Sequence, residues 1–207
     1  MISKILLVIL SSSFLNASVI IYSEPPKPWE KALTARYVIH ESDWISIATI
    51  SSIKWANSHP FVNIKSMSDG PKSQGTGVPY LFMTDLDFSG ADLQKDSRCT
   101  LMASLAESSY CADKQYDPQD PRCTRVILMG HFEKVDNTTA EYTFASNALY
   151  SRHPEMKTWP LVHNFYIGKV VIEHIIVLND FGGADMVDLK DYYNANSTMF
   201  GEYNKIS

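Results

Sequence analysis

Stretches that alternate apolar and polar residues recur along this chain, and they limit its fold more than any other feature. Residues 45–53 put Ile45, Ile47 and Thr49 on one side. Residues 61–67 and 78–83 continue in the same manner. Residues 99–106 set Leu101, Ala103 and Leu105 against Thr100, Met102 and Ser104, and residues 124–135 and 164–178 are longer still. A period of two is the mark of a strand with one buried face. Asp69-Gly70-Pro71 ends the second stretch with a turn, and Gly130 predicts a bulge or bend inside the fifth.

Helical patterning falls between these strands. Residues 29–41 carry a rough stripe of Trp29, Ala32, Leu33, Tyr37 and Val38. Ser89 is placed to cap a short helix running through Lys95. Thr138-Thr139-Ala140-Glu141 fits a capping box, and the helix it opens faces Tyr142, Ala145, Ala148 and Leu149 inward to about Tyr150. A short terminal helix holds Leu189 to Tyr193, and 181–184 is expected to close the core. Six strands with three or four helices between them suit an α+β domain built on a barrel. A chain of 207 residues, 45% hydrophobic and 20% charged, has room for one such core. Its net charge of -5 argues against a nucleic-acid partner.

The first 23 residues read as an export signal. Lys4 is followed by the apolar run 5–10 and three serines, with small residues at Ala17 and Ser23 as alternative cleavage points. An uncleaved anchor is the competing reading. Ser11, Ser12, Ser13 and Asn16 interrupt the run, so no membrane span is expected. Residues 24–35 begin with Glu24-Pro25-Pro26-Lys27-Pro28 and form a linker.

Export changes how the cysteines and asparagines are read. In an oxidising compartment two of Cys99, Cys111 and Cys123 should pair. Cys111 and Cys123 flank a turn-rich segment, and closing that loop would contribute about 3 kcal/mol in the chain-entropy model. Cys99 opens a strand and reads as a buried free thiol. Three free thiols remain the alternative. Asn137-Thr138-Thr139 and Asn196-Ser197-Thr198 are acceptor triplets for glycosylation at Asn137 and Asn196.

Residues 152–165 form a connector with two of the six histidines, two prolines and a tryptophan. Pro154 and Pro160 push their predecessors out of the α region, which predicts a stiff, extended segment. One reading is a pocket wall, and the other is a covered loop whose Trp159 plugs the core. No zinc-protease, redox Cys-x-x-Cys or nucleophile-elbow motif occurs. The carboxylates at Glu41 and Asp43, and at Asp113, Asp117 and Asp120, read as solvated loop residues before acid pairs or calcium ligands.

Several blocks, taken together, resemble one family. They are Ala35-Arg36-Tyr37-Val38 with Ser42-Asp43-Trp44, Ser66-Met67-Ser68-Asp69-Gly70-Pro71, and Gly77-Val78-Pro79-Tyr80. Next come Asp117-Pro118-Gln119 between Cys111 and Cys123, and the run Arg152, His153, Pro154, Glu155, Met156, Lys157, Thr158, Trp159, Pro160 with Asn164. Asp180-Phe181-Gly182-Gly183 and Tyr192-Tyr193-Asn194 complete the series. The chain resembles the CREG family of secreted glycoproteins, cellular repressors of stimulated gene expression, across nearly all of its mature length.

That resemblance implies an FMN-binding-type split β-barrel, pyridoxine-phosphate oxidase-like, as a single domain over 36–196 with a tail at 197–207. It implies a homodimer, secreted or endosomal–lysosomal residence, and a role in growth restraint, differentiation or lysosomal homeostasis. A mannose-6-phosphate-type or other cell-surface receptor is the implied partner. No catalytic residue and no metal ligand are expected. Flavin-binding relatives grip the phosphate with several cations. Here 62–71 offers Lys65 alone, with Asp69 placed to repel a phosphate, so no cofactor is expected and the motif from Arg152 to Pro160 covers the cleft. The alternative is an FMN-dependent oxidoreductase using Lys65, or a haem-binding protein with His153 or His163 as axial ligand.

Overall fold

A computed structural model describes residues 24–195. Helix α1 (Lys31–Glu41) is followed by β1 (Trp44–Ile50), β2 (Pro60–Ser68), β3 (Tyr80–Met83), α2 (Phe88–Leu93) and β4 (Arg98–Ser104). Then come α3 (Tyr110–Asp113), β5 (Arg125–Lys134), α4 (Ala140–Arg152), β6 (Tyr166–Leu178), β7 (Asp185–Val187) and α5 (Leu189–Asn194). The strands are ordered β3-β2-β1-β4-β5-β6-β7, all pairs antiparallel, and β3 also pairs with β6. That last pairing closes six strands into a barrel and leaves β7 as a short flap on β6. The α+β barrel read from the alternating stretches is therefore the fold observed.

Alternation fills the barrel. Ile45, Ile47, Leu101, Leu128 and Ile175 point inward and are fully buried. Gly130 does mark a bulge: the β5–β6 register shifts between Met129 and Gly130. A side chain there would collide with the Val171 backbone, so glycine lets the two strands stay close. A smaller apolar cluster of Tyr80, Val135, Ala145, Leu149 and Ile167 fixes α4 to the barrel.

Several expectations are corrected. Helix α1 is not a one-sided stripe. Every residue from Thr34 to His40 is buried, while Trp29 lies before the helix and is 75% exposed. Asp87, not Ser89, caps α2 by accepting from the Ser89 N–H. Thr139, not Thr138, caps α4, accepting from the Tyr142 N–H. Residues 181–184 do not close the core: they form an exposed turn in which Gly182 and Gly183 take positive φ. No helix among the described residues is long and apolar enough to cross a membrane.

The outer face of the sheet is apolar. Strand pairing aligns Ile64, Ser46, Met102, Ile127, Ile176 and Met186 in one row across β2, β1, β4, β5, β6 and β7. A second row holds Val62, Ala48, Thr100, Met129 and His174. Val62, Ile64 and Met186 are more than half exposed, and Met102 and Met129 are open to solvent beside them.

Candidate functional site

The connector after α4 is not extended. Residues 154–158 and 161–163 form two 3-10 turns, and Asn164 adopts the left-handed conformation that ends the second. Pro154 sits at the start of the first turn, where its missing N–H costs nothing. The motif thereby divides into two sides. Arg152, His153 and Met156 turn inward, while Pro154, Glu155, Lys157, Thr158, Trp159 and Pro160 face solvent.

Arg152 is the anchor. Its side chain is 2% exposed. Its Nε donates to the Gly70 carbonyl at 3.0 Å, and its Nη1 donates to the His40 carbonyl at 2.6 Å and the Ser42 carbonyl at 3.3 Å. Nη2 lies 3.4 Å from Asp69 Oδ1. Asp69 is fully buried and lies 2.7 Å from His40 Nδ1, and its other oxygen accepts from the Gly77 N–H at 3.0 Å. The Asp69 charge expected to repel a phosphate is thus matched within the chain, and the repulsion argument does not hold as stated. Buried charges persist only where they are paired and hydrogen-bonded.

These contacts lock the loop 69–77 against α1. Arg36, 3% exposed, donates from Nη2 to the Gly75 carbonyl at 2.6 Å and from Nη1 to the Tyr192 carbonyl at 3.2 Å. The Tyr192 hydroxyl donates to the Gly77 carbonyl at 2.8 Å. A Cβ on Gly75 would sit within 2.5 Å of both Asp69 Oδ2 and His40 Nδ1, so only glycine fits there. Arg36 and His40 were missed as site residues. They belong to a helical stretch whose polar positions looked solvent-facing, and the groups they bind are 29 or more residues away.

The other candidates are placed as follows. Lys65, on β2, forms an ion pair with Asp87 and shares its neighbourhood with Asn63, which donates to Asp87 Oδ1 at 3.0 Å. Burial pushes the Lys65 pKa below the usual lysine range. His153 is 9% exposed, with Nε2 3.2 Å from the Met67 carbonyl. His163 is half-buried, its ring 5.7 Å from Phe165, and its carbonyl accepts from the Thr84 hydroxyl at 2.6 Å. Trp159 is not a core plug. It is 37% exposed and lies over Phe82 and Phe165, with ring centroids at 5.7 and 5.2 Å. Phe82 and Phe165 stack at 4.9 Å beneath it, which makes an aromatic pad under the connector.

Cys111 and Cys123 are joined in a disulfide, and Cys99 is a buried free thiol pushed up to about 12 by burial and by Glu173. Asn137 is exposed in the turn before α4. Asn196, the leader 1–23 and the tail 197–207 lie outside the described residues. Among the described residues no group of three or more His, Cys, Asp or Glu side chains could hold a metal ion.

Comparison with known proteins agrees with this architecture. The family description "CREG, beta-barrel" matches residues 26–194. Protein CREG1 of Gallus gallus is 43% identical over 171 residues, which is 82% of this chain and 88% of that one. Protein CREG1 of Homo sapiens is 42% identical over 170 residues, 82% of this chain and 76% of that one. Protein CREG2 of Homo sapiens is 38% identical over 173 residues, 84% of this chain and 59% of that one. Among solved structures, a heme binding protein from Mycobacterium smegmatis superposes with a TM-score of 0.62 at 17% identity, covering 83% of this chain and 62% of that chain. A pyridoxinephosphate oxidase family protein from Clostridium acetobutylicum superposes at 0.52 and 13% identity, covering 79% of this chain and 99% of that one. At these identities the superpositions establish the split-barrel fold alone.

Proposed function

The chain belongs to the CREG family, and we propose that it is a secreted or endolysosomal glycoprotein that works by binding another protein, without catalytic turnover. Growth restraint, differentiation or lysosomal homeostasis is the setting in which such binding acts. One observation carries this reading: the cations around loop 69–77 and β2 are already committed. For a flavin phosphate to be held, Lys65 would have to leave Asp87, and Arg36 and Arg152 would have to leave buried carbonyls. Each loss would leave a polar group without a partner, which disfavours a phosphate at this position. His153 is 9% exposed, with its ring held inside the chain by the Nε2 contact to the Met67 carbonyl, which supports a structural role for it. These commitments support the reading without a flavin phosphate at this position.

The outer sheet face supports a homodimer. A mostly apolar face, with Val62, Ile64, Met102, Met129 and Met186 open to solvent, is what a two-fold copy of the same face would cover. A receptor of the mannose-6-phosphate type remains the proposed partner, with a glycan on the exposed Asn137 as its handle.

A second reading is a flavin oxidoreductase or a haem-binding protein on the same barrel. Its support is that solved neighbours are named for heme binding and for the pyridoxinephosphate oxidase family. Titration of FMN and of haem into the purified, natively expressed protein separates the two readings. No heat and no shifted absorbance is the expected result. Low-micromolar binding of either, lost in Lys65→Ala or His153→Ala, would put the second reading first. Light scattering on the same sample should give twice the chain mass.

A further inference from the structure

The proline-rich segment before α1 and the disulfide loop enclose a recess of about 290 Å3. Pro25 and Pro26 form one wall, and two phenol rings come from Tyr110, just before Cys111, and Tyr116, inside the loop closed by Cys111 and Cys123. The segment is tied at both ends. Glu24 pairs with Lys114 at 2.7 Å, and Asn179 Nδ2 donates to the Pro28 carbonyl at 2.8 Å.

Four polar groups at this recess have hydrogen-bonding capacity that the described chain leaves unused. Thr34, 1% exposed, lines the recess, and its hydroxyl has no partner among the described residues. Arg122 lies over the Tyr116 ring at 4.2 Å and is fixed by Asp120, which accepts from its Nε at 3.0 Å and its Nη2 at 2.6 Å. Its Nη1 makes no hydrogen bond among the described residues. Asn179 is 7% exposed; its amide N–H is used by Pro28, which leaves its Oδ1 to accept. One oxygen of Asp180 accepts from the Phe181 N–H at 2.7 Å, and the other is unused.

The chemistry of this set is selective. Lys27 also lines the recess, so a phosphate would meet two cations but also the Asp180 carboxylate and the Asn179 carbonyl oxygen. A cation would meet Arg122. A wholly apolar ligand would leave Thr34 and Asn179 unsatisfied. A neutral ring of hydroxyl groups suits all four, since each hydroxyl both donates and accepts, and its C–H face can lie on a phenol ring. The volume is at the small end of ligand sites, which fits one ring rather than a chain of them. We propose that this recess is a binding site for a single sugar ring, such as the terminal residue of a glycan. The proposal goes beyond the reading above and needs neither export nor the dimer.

Saturation-transfer NMR on the oxidised mature protein tests it, using the methyl glycosides of glucose, galactose, mannose and N-acetylglucosamine as probes. At least one should receive saturation on its ring C–H protons with a millimolar Kd. Thr34→Val and Tyr116→Ala should each weaken that binding about tenfold or more, while Trp159→Ala, far from these residues in contact terms, should leave it unchanged. Thr34→Val preserves shape and keeps the test sound if Tyr116→Ala does not fold. No saturation of any probe at about 50 mM, well above a millimolar Kd, would overturn the site. So would binding that survives both variants. A Pro-Pro-Lys-Pro peptide that perturbs Tyr110 and Tyr116, where no sugar does, would make the recess a peptide groove and overturn the proposal as well.

Discussion

Two regions of this molecule handle polarity in opposite ways. At loop 69–77 the charges of Asp69 and Arg152 lie buried and matched to each other, with the His40 ring bonded to Asp69 beside them. On the outer sheet face, the apolar side chains of Val62, Ile64 and Met186 stand in solvent. Arg152 and Asp69 are thus turned inward and hold the chain together, while Val62, Ile64 and Met186 are turned outward. In a protein of this fold, contact with partners is to be sought on the apolar face before the charged loop.

Breaking the buried region should have the largest effect. Arg152→Ala would strip hydrogen bonds from three carbonyls and leave the Asp69 charge short of a partner. A loss of about 3–5 kcal/mol is expected, read as a lower urea midpoint with an unchanged slope. A loss under about 1 kcal/mol would mean that the charges are already hydrated and that the two regions do not differ as described.

Trp159→Ala sharpens the contrast, because Trp159 belongs to the connector and yet faces out. Its partial exposure reduces the cost from the 3–5 kcal/mol of a buried aromatic to about 1–2 kcal/mol. Thermal melts of the variant measure this. A larger loss would restore the core-plug expectation.

Glu107 provides a half-buried carboxylate, in contrast to the fully buried Asp69. Its Oε1 accepts from the Ser104 N–H at 3.1 Å. Burial pushes its pKa up to about 7 from the ordinary 4.5. The folded state therefore holds a proton that the unfolded state releases between these values. Stability should be highest below about pH 4.5, fall as pH rises to about 7, and level off above it. The contribution is about 1–2 kcal/mol after discounting for the solvent-facing part of the side chain. Urea midpoints at pH 5 and pH 8 should converge in Glu107→Gln. A wild-type protein with equal midpoints would remove this role for Glu107.

The smallest effect on folding should come from the outer face. Ile64→Lys puts a charge at the β2 end of the exposed row and should change stability by no more than about 0.5 kcal/mol. Its effect on self-association should be at least about tenfold, seen as a shift to the monomer mass in light scattering. A variant that remains dimeric would place the second copy elsewhere.

The strands were legible because alternation is a local signal. The ends of β2, β5 and β6 were read to within about two residues, and Gly130 was recognised as a bulge. The disulfide and the buried Cys99 were legible because closing a short loop is also local. What was not legible depends on partners distant in sequence. Arg36 and His40 look like solvent-facing positions until Gly75, Tyr192 and Asp69 are brought to them. Trp159 was read as a plug because large aromatics are usually buried, but its pad of Phe82 and Phe165 supports only one face. Two prolines suggested an extended connector, yet a proline also suits the first position of a tight turn, and that is where Pro154 went. Residues 181–184 are expected to close the core, and Phe181 is instead 69% exposed. The paired positive-φ glycines there mark a reversal at the surface.

The pairing of β3 with β6 has a consequence for the timing of biosynthesis. Tyr80 meets Lys169, and Met83 meets Tyr166, so the barrel closes through a strand that leaves the ribosome more than 80 residues after its neighbour. Until β6 is available, β3 and β5 each present an open row of N–H and C=O groups. Such rows invite pairing with other chains, and non-local closure is slow. A nascent chain of this protein must therefore be kept apart from its siblings until its C-terminal third has emerged. A truncation before Tyr166 should aggregate rather than remain as a soluble half-barrel.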